Sequence, residues 1–227
     1  MPAPKRLVIF AEGQGGLQST KRLVCKLVER CHGYGHLFVD EDVFRLGGLT
    51  SLVNRGGEKD WISKVKAAHK RGNVGAMLLV LDGDFGGKSF ETSEGNLPFC
   101  AKTYAVLLAK RAREAGAGKL FSLGVVIARA EFESWLIAGC PELAKHCQSH
   151  ETADFLENGM KGAKKWISER TKAPYKPTRH QDEWAGRVNL DAPLLNDMRS
   201  FKRMCHSVEQ LIQSVRDGKC VCTPCVE

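Results

Sequence analysis

The chain has 227 residues, 43% hydrophobic and 26% charged, with a formal net charge of +8. That is enough to bury the core of one large α/β domain, or of one domain with a helical extension, and it excludes a disordered chain. No run of about eighteen apolar residues occurs, so no membrane partner is expected, and residues 1–6 lead into a strand-like run without the pattern of a secretory leader, so a cytoplasmic location is expected.

In chain order, Leu7, Val8, Ile9 and Phe10 form a short apolar run that stops at Glu12-Gly13-Gln14-Gly15-Gly16, the pattern of a buried strand ending in a loop. Ser19 is suited to cap a helix over 19–31, with Leu23, Val24, Leu27 and Val28 on one face. A weaker strand is expected over 36–39, then a helix over 59–71 with Trp61, Ile62, Val65 and Ala68 inward. The most hydrophobic run, 74–81, predicts a strand that ends at Asp82-Gly83-Asp84-Phe85-Gly86-Gly87. A helix over 103–115, a buried strand over 121–128 and helical residues 134–138 follow. Continuous apolar strands alternating with amphipathic helices predict an α/β fold with a mostly parallel sheet flanked by helices and right-handed crossovers. After Gly139 only short helices and loops are expected. They form a helical or irregular extension, 140–227, packed on a 1–139 domain through Trp166, Tyr175, Trp184 and Phe201.

Sites in parallel α/β sheets form at the carboxyl ends of the strands. Here the first strand ends at Glu12, a later one at Asp82 and Asp84, and the last at Glu131 and Glu133. Residues two apart on an extended segment face the same way, so Asp82 and Asp84 can aim two carboxylates at one ion. Mg²⁺ and Mn²⁺ are hard cations that take such oxygens. Gathered carboxylates repel, and a cation is a natural means of stabilising them. Gly13, Gly15 and Gly16, and Gly83, Gly86 and Gly87 beside the aspartates, permit close backbone approach to a phosphate. A bound metal lowers the pKa of coordinated water and stabilises phosphoryl charge. Glu12 either ligates it or shuttles a proton, and the residues alone leave both open. A lone Asp-x-Asp after a strand is common without catalysis; the order of these acids, each after a buried strand, is what lifts the set above that background.

Other features have bland readings beside the functional ones. The positive charge suits a nucleic-acid partner, DNA or RNA, while the Lys and Arg clusters at 64–71, 110–113, 161–165 and 199–203 read individually as solvated helix faces. Trp166 and Trp184 are suited to stacking on bases or, more simply, to packing, and His180 reads as a hydrogen-bonded structural histidine. Nine cysteines in a long chain fit reduced thiols. The Cys220, Cys222 and Cys225 tail lacks a fourth zinc ligand at the usual spacing and reads as a frayed end. The loop at 12–16 lacks Gly-x-Gly-x-x-Gly, which sets dinucleotide binding aside.

Glu12 after the first strand and Asp82-x-Asp84 after a later one resemble the Toprim fold shared by topoisomerases, primases and OLD-type nucleases. More closely, the chain resembles a Toprim-like family related to the OLD-type nucleases and often paired with ATPases in bacterial anti-phage loci. The likeness covers nearly the whole chain: Glu12-Gly13, Leu81 to Asp84, Arg129-Ala130-Glu131-Phe132-Glu133-Ser134-Trp135, Gly162 to Trp166, Tyr175 to Gln181, and Arg199-Ser200-Phe201. It implies a Toprim-like (Rossmann-like) fold and a Mg²⁺- or Mn²⁺-dependent nuclease acting in anti-phage defence with an OLD-like or other AAA/ABC-type ATPase, in an assembly open to oligomers. It assigns Glu12 to proton transfer, Asp82 and Asp84 to metal, Glu131 and Glu133 to a second metal or its shell, and Lys164, Lys176, His180 and Gln181 to the pocket or its phosphate. The family's first loop commonly carries a second Glu where this chain has Gly16, and its later loop is often more acidic. A non-catalytic module that binds nucleic acid or the ATPase is therefore the alternative reading.

Overall fold

The computed structural model describes residues 3–13, 15–84 and 87–224. The first half alternates strands and helices: β1 (Lys5–Glu12), α1 (Gly15–Arg30), β2 (Leu37–Leu46), α2 (Leu49–Val53), α3 (Gly57–His69), β3 (Val74–Gly83), the hairpin β4 (Ser89–Thr92) and β5 (Gly95–Pro98), α4 (Ala101–Arg113) and β6 (Ser122–Arg129). The second half is mostly helical: α5 (Phe132–Gly139), α6 (Pro141–Ala144), α7 (Ala163–Thr171), α8 (Asp182–Arg187), α9 (Pro193–Asp197) and α10 (Arg199–Arg216), closed by β7 (Cys222–Thr223).

Five strands form one sheet in the order β2-β1-β3-β6-β7, and each neighbouring pair runs parallel. The fold is thus the expected α/β type, with a mostly parallel sheet flanked by helices. Alternation along the strands splits the core in two. Leu7, Ile9, Leu78, Val80 and Val126 lie on the face covered by α1, α5 and α10, and Val8, Phe10, Met77, Leu79 and Val125 on the face covered by α2, α3 and α4. The first face also takes Leu156, Ile167, Ala185, Leu195 and Phe201, so residues beyond 139 share a core with the sheet. Trp166, Tyr175 and Trp184 pack at its margin. Each fully buried large apolar side chain contributes about 1.5–3 kcal/mol.

Four elements differ from the sequence expectation. Helix α1 begins at Gly15, and Ser19 lies inside it, donating its hydroxyl to the Gly15 carbonyl at 3.1 Å rather than capping the end. Strand β2 runs to Leu46 instead of stopping near 39. The acidic stretch Asp40-Glu41-Asp42 masks it in the sequence, yet Asp40 is buried and held by Arg6 at 3.0 Å and Arg71 at 2.9 Å. In place of short helices alone, the C-terminal part carries α10, 18 residues long, with Phe201, Met204, Val208, Leu211 and Ile212 in one buried stripe. The tail does not fray at Cys222, which pairs with Leu123 as part of the fifth strand. Cys225 lies outside the described residues, and Cys25, Cys31, Cys100, Cys140, Cys147, Cys205 and Cys220 are free thiols. Among the described residues no helix is long and apolar enough to cross a membrane.

Candidate active site

Strands β1, β3 and β6 end side by side, and a cleft of about 260 Å³ opens at that edge. Its walls come from five places: Glu12 and Gly13 at the end of β1; Gly15, Gly16 and Thr20 on α1; Asp82 on β3; Phe132 and Glu133 on α5; and Lys164, Pro177 and Gln181 from the C-terminal part. The turn between β6 and α5 is tight. Ala130 adopts φ 63° and its carbonyl accepts the Gly83 amide at 2.9 Å, which brings Glu131 to Glu133 back over β3.

Glu12 and Asp82 reach the cleft from opposite registers. By alternation Glu12 belongs with Val8 and Phe10, whereas Asp82 belongs with Leu78 and Val80. As the last residue of its strand, Glu12 folds its carboxylate over the edge, where Oε2 accepts the backbone N–H of Asp82 at 3.3 Å. Gly48 permits this, because a Cβ there would sit 2.6 Å from Glu12 Oε1. Asp82 Oδ1 accepts the Phe132 amide at 2.8 Å.

A second pair of acids faces them, already engaged. Glu131 accepts the Ala163 amide on Oε2 at 2.9 Å and the Lys164 ammonium on Oε1 at 2.5 Å. Glu133 is 1% exposed; its Oε1 accepts the Tyr175 hydroxyl at 3.1 Å, and its Oε2 has no hydrogen bond and lies 3.6 Å from Lys164 Nζ. Burial raises the carboxyl pKa of Glu12, with the Asp84 charge adding to it, and raises that of Asp82 well above the usual range, with Glu133 and Glu12 adding to it. Burial also raises Glu133, which Lys164 partly offsets. Burial alone would depress Lys164, but Glu133 and Glu131 outweigh it and hold the ammonium charged.

Not every expected residue joins the cleft. Asp84 is exposed beyond the end of β3 and does not line it, while Gly83 is buried beneath the edge, where a Cβ would meet the Ala128 carbonyl at 2.8 Å. Gly13 lines the cleft with φ +69°, a conformation that L side chains rarely adopt. Gln181 lines the cleft too, buried and with Oε1 unpartnered. Lys176 and His180 do not. Nδ1 of His180 accepts the Lys176 amide at 3.1 Å, and its ring stacks with Trp184. Gln14, Phe85 and Gly86 of the two expected loops lie outside the described residues. The reading of motifs did not single out Thr20, Gly48 or the Tyr175 hydroxyl. Only Gly48, beside Gly47, left a trace in the sequence as a breaker between strand and helix.

A divalent cation fits half of this arrangement. Glu12 and Asp82 offer hard oxygens at the edge of the cleft, and burial disfavours their charged forms. Glu131 and Glu133 share one positive charge, that of Lys164. Among the described residues no group of three His, Cys, Asp or Glu side chains is set to hold a metal ion on its own. Magnesium needs no such cage, since it is commonly held by one or two carboxylates, waters and substrate phosphate. The chain matches no protein-family model and no curated protein sequence.

Proposed function

We propose that the protein is a Toprim-like, Mg²⁺- or Mn²⁺-dependent nuclease that hydrolyses a nucleic-acid phosphodiester in this cleft. The observation that carries the reading is the convergence of Glu12 and Asp82, from the ends of β1 and β3, with Glu133 of α5 and Lys164 in one cleft. Glu12 and Asp82 are the residues that would hold the cation, which supplies charge neutralisation at the phosphoryl oxygens and an acidified water. The chain's own groups do the rest. Helix α1, 16 residues long with no acid in its first turn, presents its amino end to a substrate phosphate. Lys164 balances charge on the phosphoryl group from the other side. Thr20 and the Gln181 carboxamide bound the space in which the phosphate sits.

With Mg²⁺ or Mn²⁺, the purified chain is expected to nick DNA or degrade RNA, and Asp82→Ala to slow cleavage about 100-fold or more, the scale of losing one preorganised charge at such a transition state. Equal cleavage by both proteins would trace the activity to a contaminant. The same reading gives the protein a place in the cytoplasm, in anti-phage defence beside a partner ATPase, and co-purification of the two chains tests the partnership.

One observation favours a non-catalytic module that binds nucleic acid or the ATPase: no described trio of ligands encloses an ion. Under that reading, binding of nucleic acid followed by calorimetry survives Glu12→Ala combined with Asp82→Ala, and no metal-dependent product forms.

A further inference from the structure

The two halves of the acidic edge differ in how their charge is met. At Glu131 both oxygens are committed, one to the Ala163 amide at 2.9 Å and one to Lys164 Nζ at 2.5 Å. These two donors are neighbours in the first turn of α7, so Glu131 fixes the backbone of that turn and the lysine it carries together. Glu133, buried to 1% exposure, is held by Tyr175 through Oε1 and turns its unpartnered Oε2 to the same ammonium at 3.6 Å. A divalent ion at this pair would have to displace Lys164, which would then lose both of its carboxylate partners. At the other half, Asp82 lines the cleft with Glu12 and Glu133; the Phe132 amide at 2.8 Å and the more distant Lys164 charge offset these acids only in part. Lys164 therefore leaves one net negative charge on Glu131 and Glu133 together, whereas no described ion pair offsets the charges of Glu12 and Asp82.

Resting on the nuclease reading, we propose that the site takes a single divalent cation, at Glu12 and Asp82, and that the Lys164 ammonium serves as its second positive charge, clamped by Glu131 and Glu133 at the position where a two-metal site would hold another ion. The lysine is a built-in charge for the substrate phosphodiester. It needs no loading and does not exchange with solvent metal.

The test is a count of ions by titration of Mn²⁺ alone into the full chain, with free ion read from its paramagnetic resonance signal. The wild type is expected to bind one Mn²⁺ and Asp82→Ala none. Lys164→Met, which frees both acids, is expected to bind two, while Lys164→Arg keeps a fixed charge and returns to one. Circular dichroism checks that each variant is folded; Lys164, with its side chain 44% exposed, is a site where methionine fits. Two ions in the wild type, or one in Lys164→Met, would overturn this inference and leave the metal-dependent reading standing. No ion in the wild type would overturn both.

Discussion

Asp82 shares the cleft with Glu12 and Glu133, whose charges both act on it, and the amide of Phe132 holds one of its oxygens. Because burial and these like charges raise its pKa in the folded chain, its ionised form penalises the fold above that raised value, and the penalty fades as the pH falls through it. Asp82→Asn removes the titration while keeping the shape. The variant is expected to melt above the wild type at pH 8, with each kcal/mol recovered worth about 2–4 °C. The gap is expected to close as the pH is lowered toward the ordinary aspartate range near about 4. Saturating Mn²⁺ narrows it from the other side, by raising the melting point of the wild type and not of the variant. Scanning fluorimetry across pH, with and without the ion, reads both effects. A gap that ignores pH would mean that the Asp82 charge is already compensated in the free protein.

At the scale of elements, the cleft depends on how closely the turn at 177–181 approaches the start of α1. A Cβ on Gly15 would meet Pro177 Cβ at 2.7 Å and Gln181 Oε1 at 2.8 Å, whereas one on Gly16 meets nothing within 4 Å. Gly15→Ala is therefore expected to push that turn away, at a cost of about 1–3 kcal/mol in denaturant titration. Gly16→Ala is expected to be neutral or to stabilise by up to about 1 kcal/mol, because alanine is the better helix former. Equal effects of the two would remove the turn from the site. This contact also marks where the sequence stops being informative. Strands β1, β3 and β6 are plain apolar runs, so the sheet and the acids at its edge could be read without a structure. Strand β2 could not be read to its end, because Asp40 looks like a loop residue until Arg6 and Arg71, remote in the chain, are folded beside it. Lys164 and Gln181 carry no periodic signal, and they become wall residues only when α7 and the 177–181 turn are laid over the strand ends. Asp84 differs again, since spacing groups it with Asp82 but β3 ends at Gly83 and its exposed side chain reaches Glu12 only through its charge.

Across the whole molecule, the net charge of +8 overstates the free positive surface. Lys64 pairs with Asp60, Lys110 with Glu94, Arg71 with Asp40 and Asp42, and Arg111 is buried against Glu58 and the Leu52 carbonyl. By contrast, Lys161, Lys176 and Arg179 are exposed on the segments that supply Lys164, Pro177 and Gln181 to the cleft. If a polyanion enters there, those three carry its backbone, and distant paired lysines contribute little. The logarithm of affinity for a short duplex, plotted against the logarithm of salt, falls by about 0.9 per phosphate neutralised. Lys176→Ala combined with Arg179→Ala is accordingly expected to flatten that slope by about 1.8, twice the single-phosphate value. Lys64→Ala combined with Lys110→Ala leaves it unchanged. Fluorescence anisotropy over a salt series, without divalent metal so that nothing is cut, measures both slopes. The reverse pattern would put the nucleic acid on the α3–α4 side of the sheet, away from the acids, and would separate binding from the cleft altogether.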